Sequence, residues 1–147
     1  MKRPDLFLVD LIARDMDATL AFYRALGVEI PERAVWRTAT GIHHVDVAMP
    51  GGATVHFDSA ALARAYDRGW REPSGPGTRV VLSFRVESRE EVDRVHGHLT
   101  ALGHPSAQPP FDAFWGARYA IVEDPDGNHI GLMSPSDPSL RRAPPSL

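Results

Sequence analysis

The stretch Glu123-Asp124-Pro125-Asp126-Gly127-Asn128-His129-Ile130-Gly131-Leu132 decides how the rest of the chain is read. Asp126-Gly127 lies between two apolar, alternating runs, the strongest short-range signal for a β-hairpin. It predicts a type I′ turn, whose two central residues take positive φ and match the twist of the flanking strands. The hairpin then spans residues 117–133, with 118–122 facing 129–133.

An earlier segment lies over this one at an offset of 75: Pro50-Gly51-Gly52-Ala53-Thr54-Val55-His56-Phe57 aligns with Pro125 through Leu132. A second anchor repeats at nearly the same offset, since Ala25-Leu26-Gly27 recurs as Ala101-Leu102-Gly103. Each tripeptide ends a helical pattern at a glycine suited to a left-handed cap. The first helix opens at Asp15 and carries Met16, Leu20 and Tyr23 at helical spacing. The second covers residues 88–102, N-capped by Ser88 with Glu91 completing a capping box. Strands at 6–13 and 80–86 precede the two helices. Three more follow each: 35–38, 45–49 and 54–57 in the first copy, then 111–114, 118–122 and 129–133 in the second.

The fold class is therefore α+β, built of two βαβββ modules. Module one covers 5–60 and module two 78–135. Residues 61–77 link them, through a short helix within 59–70 and the turn-rich Glu72-Pro73-Ser74-Gly75-Pro76-Gly77. Residues 136–147, rich in proline and poor in apolar side chains, read as a loose tail.

At 147 residues the chain has the size of one domain, and 43% hydrophobic with 24% charged residues is an ordinary globular composition. A net charge of −3 offers no electrostatic footprint for nucleic acid or an anionic membrane. No apolar run approaches a membrane span or a signal peptide, and the expected location is the cytoplasm. With no cysteine there is no disulfide, thiolate metal site or cysteine nucleophile. Neither a phosphate-cradling glycine loop nor a nucleophile elbow is present.

The doubled module, the segment Asp-Met-Asp-Ala-Thr-Leu-Ala-Phe-Tyr-Arg-Ala-Leu-Gly at 15–27, Trp115-Gly116-Ala117-Arg118 and the hairpin at 123–132 together resemble the vicinal oxygen chelate superfamily. That group includes glyoxalases, bleomycin-resistance proteins, fosfomycin-resistance enzymes and extradiol dioxygenases. The likeness runs from residue 6 to residue 135. It implies sheets curled into half-barrels around a pocket, a small organic ligand, and a homodimer. It also implies one divalent metal, held by His, Glu or Gln from the first and last strands of each module. Those positions fall here at Leu8, His56, Arg79 (or Val81) and Gly131. Only His56 offers a donor, and one imidazole does not hold a divalent cation where even catalytic zinc uses three side chains. No metal of the family's kind is expected.

A hairpin centred on Gly51-Gly52 would set Val47 opposite His56, placing His43, Val45 and Val47 on its face. An unusual metal set of His43, His56 and Asp10 is then conceivable. The resemblance lines the pocket with Leu6, Leu8, Asp10, His56, Arg79, Val81 and Gly131, rimmed by Trp36, Trp70, Phe111, Phe114, Trp115 and Tyr119. Gly131 in place of a carboxylate would leave volume, and Arg79 would favour an anionic ligand. Ligand contacts are expected from Leu8, Asp10, His43, His56, Arg79, Trp115, Tyr119 and Gly131. Asp10 with His56 is the candidate catalytic pair. His96, His98, His104 and His129 read as surface residues. The preferred function is small-molecule binding without metal, as in sequestration of the bleomycin-resistance type. The rival is a glyoxalase-like lyase, isomerase or dioxygenase, using a rearranged metal or the acid–base pair.

Overall fold

Asp15 opens the first helix as the sequence predicts: its carboxylate accepts the Ala18 N–H at 2.9 Å, satisfying one of the donors a helix N-terminus leaves orphaned. The computed structural model describes residues 6, 8–67, 70–74 and 80–145. The chain forms two units, Met1–Gly75 and Pro76–Leu147. In the first, β1 (Leu8–Ala13) leads into α1 (Met16–Leu26), then β2 (Val35–Thr38), β3 (Gly41–Ala48), β4 (Thr54–Ser59) and α2 (Ala60–Tyr66). The sheet order is β1-β4-β3-β2, with β1 parallel to β4 and the other pairs antiparallel. Helix α1 buries Leu20, Phe22, Tyr23 and Leu26 against the face bearing Val45, Val47 and Phe57. The Tyr23 and Phe57 rings meet at 4.6 Å.

The second unit repeats the plan with β5 (Val81–Arg85), α3 (Arg89–Ala101), β6 (Ser106–Asp112), β7 (Arg118–Glu123) and β8 (His129–Met133). Its order is β5-β8-β7-β6, again with one parallel pair. Val92, Val95 and Leu99 of α3 are buried, as are Ala120, Val122, Ile130 and Leu132 of the sheet. The α+β reading as a duplicated βαβββ unit therefore holds. The described glycines with positive φ fall into matched pairs: Gly27 with Gly103, Gly41 with Gly116, and Gly52 with Gly127.

Local details depart from the sequence reading. Both central hairpins close through three residues, not two. The Met49 N–H donates to the Ala53 carbonyl (2.8 Å) and the Gly52 N–H to the Met49 carbonyl (2.9 Å). In the second copy Asp124 N–H bonds Asn128 (3.0 Å) and Gly127 N–H bonds Asp124 (2.9 Å). Only the third loop residue, Gly52 or Gly127, has positive φ, and no described non-glycine residue does, so Asp126-Gly127 is not a type I′ turn. The cause is the proline. Pro50 and Pro125 fix φ near the value required at the second position of a type I turn, and the chain then leaves through a left-handed glycine. The buried Asp124 carboxylate secures its loop, accepting the Asp126 and Asn128 N–H groups at 2.9 Å each.

The Ser88 hydroxyl caps α3 as expected, accepting the Glu91 N–H at 3.1 Å, but the Glu91 carboxylate turns to Arg94 instead of closing the box. Strand β6 begins at Ser106 and runs through Pro109-Pro110, which an edge strand tolerates because its outer N–H groups need no partner. The tail expected to hang loose is bound over residues 134–142. Asp137 N–H donates to the Gly116 carbonyl (3.0 Å), Arg142 N–H to Phe114 (2.8 Å) and the Ser136 hydroxyl to Trp115 (2.6 Å). No described helix is long and apolar enough to cross a membrane.

Candidate functional site

Loop length sets which side chains share a face. With three residues in the turn, Asp46 lies opposite His56 and His44 opposite Asp58. Parallel pairing with β1 then places Asp10 beside His56. Because strand side chains alternate, Asp10, His44, Asp46, His56 and Asp58 all project from the face opposite α1. His56 Nδ1 lies 3.1 Å from Asp10 Oδ1. His44 Nδ1 donates to Asp58 Oδ1 at 2.6 Å, and Tyr66, at the end of α2, donates its hydroxyl to Asp58 Oδ2 at 2.9 Å. The two imidazoles meet edge to face with ring centres 5.0 Å apart. Asp46 stands further out, 3.9 Å from His44 Nε2.

Burial grades these partners. The Asp58 side chain is only 4% exposed while that of Asp10 is 36% exposed. A buried carboxylate requires partners, and His44 with Tyr66 supplies them. Burial, then the Asp58 hydrogen bond and charge, push the Tyr66 phenol up from its ordinary value, so it remains a donor.

Asp10 and His56, paired from the sequence, are thus brought together. His43 is not. It lies on the other face of β3, where its Nε2 meets the Thr38 and Thr40 hydroxyls at 2.9 Å each and its Nδ1 the Ser59 hydroxyl at 3.0 Å. The expected His43–His56 metal pair fails because a hairpin centred one residue away exchanges the two faces of a strand. The same slip hid His44 and Asp58. Recognising Pro50-Gly51-Gly52 as a three-residue loop would have found both. Tyr66 carries no sequence signal beyond its place on a short helix. Leu8 pairs with Thr54 on β1, and Arg79 lies outside the described residues.

In the second unit Gly131 pairs with Ser83 and Ile121, as His56 does with Asp10 and Asp46. The space expected there is filled. A Cβ on Gly131 would come within 2.5 Å of Ser83 Oγ and 2.6 Å of Tyr119 Oη. Tyr119 is held over this spot by Trp115, with ring centres 5.5 Å apart, and by Phe111 at 6.1 Å. Trp115 also meets Phe114 at 5.1 Å, so these rings form one edge-to-face cluster.

The Glyoxalase/Bleomycin resistance protein/Dioxygenase superfamily model matches residues 6–132. The chain belongs to that superfamily. Solved structures share its fold. A glyoxalase/bleomycin resistance protein/dioxygenase family enzyme of Burkholderia phytofirmans PsJN is 22% identical, with 89% of this chain and 98% of that one covered and a TM-score of 0.73. A glyoxalase-related enzyme of Fulvimarina pelagi is 22% identical over 89% and 88% of the two chains, with a TM-score of 0.71. Lactoylglutathione lyase of Agrobacterium tumefaciens is 23% identical over 90% and 96%, at 0.61. None of the curated proteins matches the chain.

The metal that the family implies does not fit the residues present. Leu8 and Val81 have no donor atom, Gly131 has no side chain, and the place of its missing carboxylate is taken by Tyr119 and Ser83. Among the described residues no three His, Asp or Glu side chains are placed to hold a metal ion.

Proposed function

We propose that this superfamily member binds a small organic molecule directly through side chains of its first sheet, without the metal used by the family's enzymes. The observation that carries this is the pair of oriented imidazoles, His56 against Asp10 and His44 against Asp58, on one face. Imidazoles seated on carboxylates through Nδ1 turn Nε2 outward as a fixed hydrogen-bonding group. Asp10, Asp46 and Asp58 on the same face oppose an anionic ligand. The reading therefore departs from the anionic ligand suggested by Arg79 and takes an uncharged or amine-bearing molecule. Sequestration by a cytoplasmic homodimer, as in bleomycin-type resistance, is the form of binding we favour.

The test is a ligand screen by saturation-transfer NMR, with matched amine-bearing, neutral and carboxylate-bearing aromatic compounds, on metal-analysed protein. Amine-bearing or neutral compounds should bind, and His56→Ala should weaken them about tenfold, or about 1.4 kcal/mol. Stoichiometric metal lost on His56→Ala, or binding confined to carboxylates, would sink this reading. A second reading, catalysis by an acid–base pair, is favoured by one observation: the register itself seats Asp10 beside His56.

A further inference from the structure

The hairpin between β6 and β7 closes through Phe114-Trp115-Gly116. The Ala113 N–H donates to the Ala117 carbonyl and the Gly116 N–H to the Ala113 carbonyl, each at 2.9 Å. The end of the chain takes the carbonyls of this loop one after another. Those of Phe114, Trp115 and Gly116 accept from the Arg142 N–H, the Ser136 hydroxyl and the Asp137 N–H, and the Arg142 guanidinium donates to the Asp112 carbonyl at 2.5 Å. Arg89 of α3 adds a longer contact to the Gly116 carbonyl, at 3.3 Å. We propose that residues 136–142 are a releasable strap that, acting through Trp115, decides whether Tyr119 covers Gly131. This inference goes beyond the binding reading and concerns the second unit alone.

Two features make the strap releasable. Every residue from 135 to 145 is exposed, so no buried apolar side chain holds it down. What fastens it is hydrogen bonds, each contributing little net because the separated groups find water, and such segments open locally while the core stays closed. Its shape is set within itself. The Asp137 carboxylate accepts the Ser139 N–H at 2.9 Å and the Ser139 hydroxyl at 2.7 Å, so the turn at Pro138–Leu140 can lift as a body.

Trp115 links the strap to Tyr119. Its carbonyl takes the Ser136 hydroxyl, and its ring meets Tyr119 at 5.5 Å, Phe111 at 6.3 Å and Phe114 at 5.1 Å. Tyr119 Oη and Cε2 stand where a side chain at position 131 would be, and the hydroxyl meets Ser83 Oγ at 3.3 Å. Packed rings have discrete arrangements, so moving Trp115 takes away the wall that seats Tyr119. The first unit has the matching loop without the strap. Nothing lies near the place of a Cβ on Gly41, whereas on Gly116 that place is filled by the Asp137 carbonyl oxygen. Release of the strap would therefore uncover Gly131 and leave the ladders of the sheet as they are.

The experiment is nitration with tetranitromethane, read residue by residue by mass spectrometry. The chain's three tyrosines serve as mutual controls: Tyr66 is exposed, Tyr23 is buried, and Tyr119 has one of its two reactive ring carbons, Cε2, turned to Gly131. The full-length variant Asp137→Pro/Arg142→Pro removes two strap donors at exposed positions, because proline carries no N–H. Tyr119 should then nitrate about tenfold faster, roughly the effect of one lost hydrogen bond on an opening equilibrium. Tyr66 and Tyr23 should react as before. Amide exchange at Ala113 and Gly116 should quicken, while that at Val122 and Leu132 stays slow. Trp115→Ala with the tail intact should free Tyr119 to the same extent, and adding the two prolines should free it no further.

Unchanged nitration and exchange in the proline variant would overturn the strap. Faster exchange in the loop with unchanged nitration of Tyr119 would overturn its hold on Gly131. Independent, additive gains from the prolines and from Trp115→Ala would overturn the route through Trp115. Should the prolines also speed exchange at Val122 and Leu132, Ser136→Ala decides the matter: it removes one side-chain donor and should speed Tyr119 nitration by a smaller factor, and no change would overturn the strap.

Discussion

The two halves of the molecule share a backbone and differ on one face. At matched register positions the first sheet carries Asp10, His44, Asp46, His56 and Asp58, and the second carries Ser83, Tyr119, Ile121, Gly131 and Met133. Every carboxylate and imidazole of the first has a counterpart that is neither. The turns, helix ends and positive-φ glycines, by contrast, match pair by pair. Ladder hydrogen bonds and turn conformations depend on the main chain, so a face turned away from the helix can change its chemistry without disturbing them. Ionic pairs occupy one such face and interlocking rings the other.

The comparison is most sharply broken at Gly41 and Gly116. Both have positive φ, but a Cβ on Gly41 meets open space, whereas one on Gly116 would lie 2.3 Å from the Asp137 carbonyl oxygen. Gly41→Ala should cost about 1 kcal/mol, the ordinary penalty of left-handed backbone for an L residue. Gly116→Ala should cost about 3 kcal/mol, since the clash adds to that penalty. Thermal unfolding of the two variants measures the difference, and equal losses would mean the tail does not press on Gly116.

Gly131→Ala should destabilise by about 2 kcal/mol through overpacking against Tyr119 and Ser83. Combining it with Tyr119→Ala should cost less than the sum of the single losses, which a double-mutant cycle in denaturant detects. Strict additivity would show that the ring does not occupy the site of the missing carboxylate. Tyr66→Phe should cost about 1 kcal/mol, because Asp58 loses one of two partners while its second oxygen can still find water.

The smallest effect concerns acid. Arg118 chiefly, with Arg89, holds the Asp112 carboxyl below its usual range. A depressed acid contributes stability above its unfolded pKa and loses it as pH falls through the lower folded value. Wild-type melting temperature should therefore drop more steeply below the ordinary aspartate range than that of Asp112→Asn. Parallel curves would assign the ion pairs no role in stability.

Much of this fold was legible because its signals are local. Asp15, Ser88 and Gly27 act on their own helix ends, and Asp126-Gly127 marks a hairpin whatever its turn type. What was missed depends on counting or on distance. The face of His44 hinges on one loop residue, Pro109-Pro110 imitates a loop until β6 is known to be an edge, and the tail's anchors lie some twenty residues upstream in the chain. The candidate site was half visible: Asp10 and His56 stood out, while Asp58 and Tyr66 are paired only by folding.

The three-residue loops act as a parity check on the sheet. Changing the residues within Pro50-Gly51-Gly52 leaves the loop at three, but adding or removing one while the turn keeps its three-residue form shifts the pairing by one. Strands β3 and β4 would then agree on hydrogen bonds only by disagreeing about which side is greasy, with Val45 set against His56 or Phe57 turned to water. Length is thus more tightly constrained than composition in this turn, and a single inserted codon would do what no single substitution there can.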